Sequence, residues 1–256
     1  MMSNKMVCLA GAMATLGVAA VPAAVHAEKP EISVAQVYFE LNNTDGDLGI
    51  HATVGATPWK SMFIHNHHRQ LLFQAAPRGV AAWEGFDEIS FESAEPTFDE
   101  LDPAEFFRRY PEGNYLIVGF TVNGERMDKR TPVTHLLPAP PVVFVNNGPA
   151  IEDCDGPMPV FNAGDDVVIH WETVTHSHPE IGRINEPIEI ESYEVAIEIP
   201  HTQFKSTNIL PPDTTEFEVP EEILELADEG EVKYEVLVQS KDWNRTAIES
   251  CFGVDL

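Results

Sequence analysis

Hydrophobic residues recur along this chain in short alternating runs, each closed by Pro, Gly, Asn or Asp. Alternation places successive side chains on opposite faces of an extended backbone, which is how a half-buried antiparallel strand reads. Val34 to Leu41, Leu48 to Val54, Trp59 to Ile64, Tyr115 to Val122 and Pro132 to Leu136 are the strands this predicts in a first half. Val142 to Val145, Val167 to Trp171, Ser192 to Ile199, Thr215 to Val219, Lys233 to Ser240 and Ala247 to Val254 are those of a second. Helical signals are confined to single turns. Asp102-Pro103-Ala104-Glu105 supplies an N-cap, a proline at the first helical position and an acid in the first turn, and Pro220 to Leu226 is similar. The pattern predicts an all-β protein of two tandem antiparallel β-sandwiches, over 28–137 and 140–256. Leu137-Pro138-Ala139-Pro140-Pro141 lies between them as a stiff boundary, because its prolines lack amide hydrogens and favour extended backbone.

Residues 1–27 have the order of a cleaved signal peptide. Lys5 precedes an apolar run from Met6 to Val21, and Val25-His26-Ala27 places small residues before a cut ahead of Glu28. The run is broken by Gly11, Thr15 and Gly17 and falls short of the ~20 apolar residues a membrane span needs, so no integral membrane segment is expected after cleavage. The expected location is the periplasm, the medium or the cell surface. Of the 256 residues 42 are acidic and 15 basic, a net charge of −27; losing Lys5 makes it 14 − 42 = −28. Such a surface repels nucleic acid and anionic lipid, and leaves cationic partners and metal ions open. It also keeps an exported protein soluble. Cleavage would leave two cysteines, Cys154 and Cys251, 97 residues apart, which an oxidising compartment lets pair.

The halves share a faint echo. Pro103-x-Glu105 leads to Glu112-Gly113-x-Tyr115, and Pro220-x-Glu222 leads to Glu229-Gly230 and Tyr234, a layout that suggests a tyrosine corner in each half. From Pro140 onward the chain resembles a fibronectin type III domain. The resemblance rests on Pro140-Pro141-Val142, on Trp171 in Val168-Ile169-His170-Trp171, on Tyr193-Glu194-Val195, on Phe217-Glu218-Val219-Pro220 and on Tyr234-Glu235-Val236-Leu237-Val238. It implies that Trp171, Tyr193 and Tyr234 pack between two sheets. It also implies that Cys154 and Cys251 lie at one pole, and that the role is recognition, spacing or adhesion rather than catalysis. Long connections at 146–166 and at Thr175 to Pro187 depart from the family pattern.

Several constellations carry potential chemistry. Asn43, Asp45 and Asp47 could converge on a calcium ion, although Asp-Gly between alternating runs is also an ordinary hairpin. His65, His67 and His68, with His51 upstream, could hold Cu or Zn if the segment is a strand, because His65 and His67 would then share a face. His176 and His178 alternate in the same way. Trp243 in Lys241-Asp242-Trp243-Asn244 stands where the family has its last hairpin, as a possible anchor for a protein or carbohydrate partner. Asn42-Asn43-Thr44 and Asn244-Arg245-Thr246 match the glycosylation acceptor pattern. No Gly-x-Ser-x-Gly elbow, phosphate-binding glycine loop or His-Glu-x-x-His motif occurs, so no cofactor and no catalytic set are expected beyond those metal candidates.

Overall fold

The computed structural model describes residues 29–255 apart from 163, 228 and 229; the signal peptide expected over 1–27 lies outside the described residues. In the first half, β1 (Ile32–Asn42) turns into β2 (Asp47–His65), and β3 (Leu71–Ala75), α1 (Val80–Glu84) and β4 (Phe86–Glu92) follow. α2 (Pro103–Arg109), β5 (Gly113–Thr121) and β6 (Arg126–Val133) complete it. The runs 48–54 and 59–64, read from sequence as two strands, are one strand of 19 residues. Its register shifts between Gly55 and Trp59 against β4, and between Trp59 and Ser61 against β5, so it bends at Pro58 instead of ending. The first part of β2 pairs with β1 and β4, the second with β3 and β5. One strand therefore serves two layers, as at the corner of an orthogonal sandwich. The layers enclose Phe39, Leu41, Leu48, Trp59, Met62, Ile64, Tyr115 and Ile117, and α2 adds Phe106 and Phe107 to that core. α2 begins where the sequence places it, with the Asp102 carboxylate accepting from Ala104 N at 2.8 Å.

The second half comprises β7 (Val143–Val145), β8 (Gly148–Pro149), β9 (Val160–Asn162), β10 (Val168–Trp171), β11 (Ile190–Ile199) and β12 (Phe204–Leu210). β13 (Glu216–Glu218), α3 (Glu221–Ala227), β14 (Glu231–Ser240) and β15 (Arg245–Asp255) follow. A sheet ordered β13-β10-β7-β8 packs on strands ordered β12-β11-β14-β15 around a separate core. Trp171, Tyr193 and Tyr234 are buried in it, with the Trp171 and Tyr193 rings 5.3 Å apart. This is the fibronectin type III-like sandwich that the tryptophan and tyrosines imply. Cys154 and Cys251 are joined in a disulfide, their Cα atoms 5.9 Å apart.

Both halves repeat a helix followed by a long strand, α2 then β5 and α3 then β14. Only the first closes as a tyrosine corner: Tyr115 Oη donates to Pro111 O at 3.0 Å, whereas Tyr234 Oη finds no partner among the described residues.

The halves are not merely strung together. β1 runs parallel to β15 over Glu40–Arg245, Leu41–Thr246 and Asn42–Ala247, so one sheet of 11 strands passes from one half into the other. The long connection after Trp171 is the clamp over this seam. Pro138 bridges to Ser177, His178 N donates to Leu137 O at 2.8 Å, and Ile181 packs against the first core.

Candidate functional site

The β1–β2 turn is an Asx turn, with Asn42 Oδ1 accepting from Thr44 N and Asp45 N at 3.0 and 3.2 Å. Of the calcium candidates, Asn43 is engaged elsewhere: its Oδ1 faces His178 Nε2 at 3.2 Å. Asp45 Oδ2 accepts from Asn42 at 3.4 Å, and Asp47 opens β2. Asn43 is thus engaged at the seam and Asp45 in the turn. His178 is buried, and its Nδ1 accepts from Glu180 N and Ile181 N, so Nε2 carries the proton and neither nitrogen is free for a metal. Desolvation holds its pKa below the usual imidazole value. His176 Nδ1 is paired with Thr175 Oγ1 at 2.9 Å.

The premise of a histidine strand at 65–68 is corrected by the structure, because β2 ends at His65. The buried Asn66 makes the turn. Its Oδ1 accepts from Gln70 N, and its Nδ2 donates to Gln70 Oε1 at 2.8 Å. His67 and His68 stack within the turn, and His67 fills the space above Gly113. The donor atoms of His65, His67 and His68 do not come within 4.8 Å of one another as a set.

Trp243 is half-buried at φ 72°, and its turn is pinned to the first half rather than free. Asp242 Oδ2 accepts from Thr134 Oγ1 at 3.0 Å, and the next residue, Asn244, is 1% exposed with both amide atoms in use. Asn244 therefore cannot accept a glycan in the folded chain.

Two surfaces that sequence reasoning missed are more prominent. The first is α1, none of whose residues is buried. Trp83 is 82% exposed, Val80 67% and Phe86 43%, beside exposed Glu84, Asp87 and Glu88. Leu71 to Glu92 shows little alternation because β3 and β4 are largely exposed, so neither strand nor helix announced itself.

The second is the outer face of the continuous sheet at the seam. A groove of about 540 Å³ is lined by Tyr38, Glu40, His51, Ser90, Glu92 and Arg245, among others. Arg245 lies over the Tyr38 ring at 4.8 Å, donates from Nε to Gln239 at 2.9 Å and stands 3.4 Å from Glu40. Glu40, His51 and Glu95 are the described set of this face whose donor atoms lie within 4.8 Å of one another.

Acids on this sheet repel one another. Glu235 is pushed up to about 8 by burial first, and then by Glu40, Glu249 and Glu194. Asp47 is pushed up to about 6 by burial, then by Glu95 and Asp45. A carboxyl whose folded pKa is raised stays protonated while the unfolded chain ionises, so stability is full below the ordinary carboxylate range and declines as pH rises towards 8. Urea unfolding at pH 5 and pH 8 is expected to show greater stability at pH 5. Glu235→Gln is expected to stabilise at pH 8 by about 2 kcal/mol, the ~1.4 kcal/mol per pKa unit being discounted for partial exposure. Stability that rises from pH 5 to 8 would contradict this account.

No family model and no curated protein matches the chain. Among solved structures it is similar to the FN1–FN3 domains of chicken CNTN1 (TM-score 0.33, 10% identity, covering 87% of this chain and 65% of that one). It is also similar to a segment of a 1.5-MDa bacterial ice-binding adhesin (0.26, 14%, 87% and 65%). A two-domain fibronectin type III segment of chicken tenascin is a third (0.27, 8%, 88% and 98%). The chain thus spans 65% of the length of the first two structures. The first and third of these similar structures are tandem fibronectin type III domains.

Proposed function

We propose that this protein is an exported, non-catalytic module that binds a protein partner through the apolar knob at Val80, Trp83 and Phe86. The observation that carries this reading is Trp83, a large aromatic that is 82% exposed on a helix burying nothing. Hydration of so large an apolar surface is unfavourable, and rigid aromatics ringed by polar groups are what dominate interfaces. Glu84, Asp87 and Glu88 around the knob favour a partner whose apolar pocket has a basic rim. The Cys154–Cys251 disulfide supports a location outside the reducing cytoplasm, in line with the export signal read from residues 1–27. No described helix is long and apolar enough to cross a membrane. The division into domains at 28–137 and 140–256 belongs to the same reading: the cores are separate, and the shared sheet fixes their relation so that the knob is presented from a rigid body.

A photo-crosslinking residue at position 83, used in the native compartment, is expected to capture one discrete protein adduct. Trp83→Ala should weaken binding of that partner by 10-fold or more while leaving the melting temperature unchanged, since α1 buries nothing. Absence of any adduct, or undiminished binding by Trp83→Ala, would overturn the assignment.

A further inference from the structure

Three side chains far apart in the sequence converge where β1, β2 and the loop after β4 meet. His51 on β2 holds Nε2 2.8 Å from Glu95 Oε1, and Glu40 on β1 completes a set whose donor atoms all lie within 4.8 Å of one another. The imidazole is fixed in place. Its side chain is 10% exposed, and the Tyr38 ring lies over it with centroids 5.4 Å apart and planes 21° from parallel. Glu95 is fixed by its surroundings too. It stands at φ 44°, in the left-handed region that a glutamate adopts only under constraint. Its carboxylate crosses β2 where residue 49 is glycine, and a Cβ there would lie 2.5 Å from Glu95 Oε1 and 2.6 Å from its Cγ. Gly49 thus leaves the space that lets Glu95 reach the histidine.

One imidazole nitrogen with two carboxylate oxygens is a borderline donor set. Ligands about 2.0–2.2 Å from a tetrahedral ion stand roughly 3.4 Å from one another, a spacing these side chains reach by small rotations. Calcium selects six to eight oxygens, and monovalent copper selects sulfur, so neither suits this set. The groove beside Glu40 and His51 leaves a further coordination position open, as in zinc centres with three protein ligands. Glu92 lines the same groove and adds negative charge, while Arg245, 3.4 Å from Glu40, orients that carboxylate.

We propose that Glu40, His51 and Glu95 form a site for one divalent transition-metal ion of the zinc type, with its open position facing the groove. On binding, the Nε2 hydrogen bond to Glu95 is replaced by a bond from the Nε2 lone pair to the metal. The ring proton then resides on Nδ1, both carboxylates coordinate as anions, and nothing is oxidised or reduced.

The test is calorimetric titration of the full chain, stripped with EDTA, with ZnCl₂. One ion per chain with a micromolar Kd is expected, together with a rise in melting temperature. His51→Gln and Glu95→Gln should each weaken binding 10-fold or more. Because His51 is buried and its variants can lose structure, Gly49→Ala provides a second route: it alters no donor, displaces Glu95, and should weaken binding 10-fold or more in a chain with unchanged circular dichroism. A paired His67→Ala/His68→Ala variant should bind as the parent does. Failure to bind zinc, binding as tight as the parent's by both Gly49→Ala and Glu95→Gln, or loss of binding only in the paired histidine variant would overturn the proposal. The partner contact at Trp83 is independent of each of these outcomes.

Discussion

Replacing Asn244 by alanine is expected to lower the stability of the folded chain by about 3 kcal/mol, a large effect for one polar side chain. Asn244 is 1% exposed and stands just before β15 joins β1. Its Oδ1 accepts from Phe39 N at 2.9 Å, which extends the ladder beyond the point where backbone pairing begins. Its Nδ2 donates to Thr134 O at 2.9 Å and to Leu136 O at 3.2 Å, so one amide ties β1, the end of the first half and the β14–β15 turn together. Alanine leaves a buried amide hydrogen and two carbonyls without a partner, each costing ~1–3 kcal/mol unless water enters. Asn244→Asp should be no better, since a carboxylate cannot donate to Thr134 and Leu136 and would bury a charge. Urea unfolding measures the loss. A change below about 1 kcal/mol would mean that the seam does not depend on this residue.

Breaking the disulfide is expected to cost about 2 to 4 kcal/mol, because it closes a span of 97 residues and so restricts the unfolded chain. Cys251 is 1% exposed on the outer face of β15, and Cys154 holds the long connection between β8 and β9 against it. The same connection is held by Ile151 N donating to Ser250 Oγ at 2.9 Å and by β9 pairing parallel to β15, so the fold should survive reduction at lower stability. Cys154→Ala and the reduced parent should unfold at matching lower urea concentrations, with binding at Trp83 retained. Identical midpoints for oxidised and reduced protein would show that the bond contributes nothing.

These effects bear on how the two surfaces work. Trp83 projects from the first half, whereas Glu40 lies next to Arg245 of the second, so loosening the seam should disturb the acidic groove before it disturbs the knob.

The sequence by itself determined the strands whose two faces differ in burial. β5 alternates because one face meets the core and the other is only half covered, β1, β11 and β14 alternate over part of their length, and Trp171, Tyr193 and Tyr234 mark the second core through the resemblance to fibronectin type III domains. Asp102 and Pro103 fixed the start of α2 through local hydrogen bonding. Edge elements stayed silent: β3, β4 and β12 are exposed along much of their length and need no apolar face. Pro58 misled for a related reason, since a proline breaks a run of letters while a bend in a strand accommodates it. Only the tertiary structure decided that β1 lies beside β15, because parallel pairing between residues some 205 apart leaves no local pattern. The same holds for Glu40, His51 and Glu95, which lie on two strands and a loop and become neighbours only when β2 pairs with both β1 and β4. Local alternation records burial, whereas a site assembled across strands is set by register, and register is a property of the closed sheet.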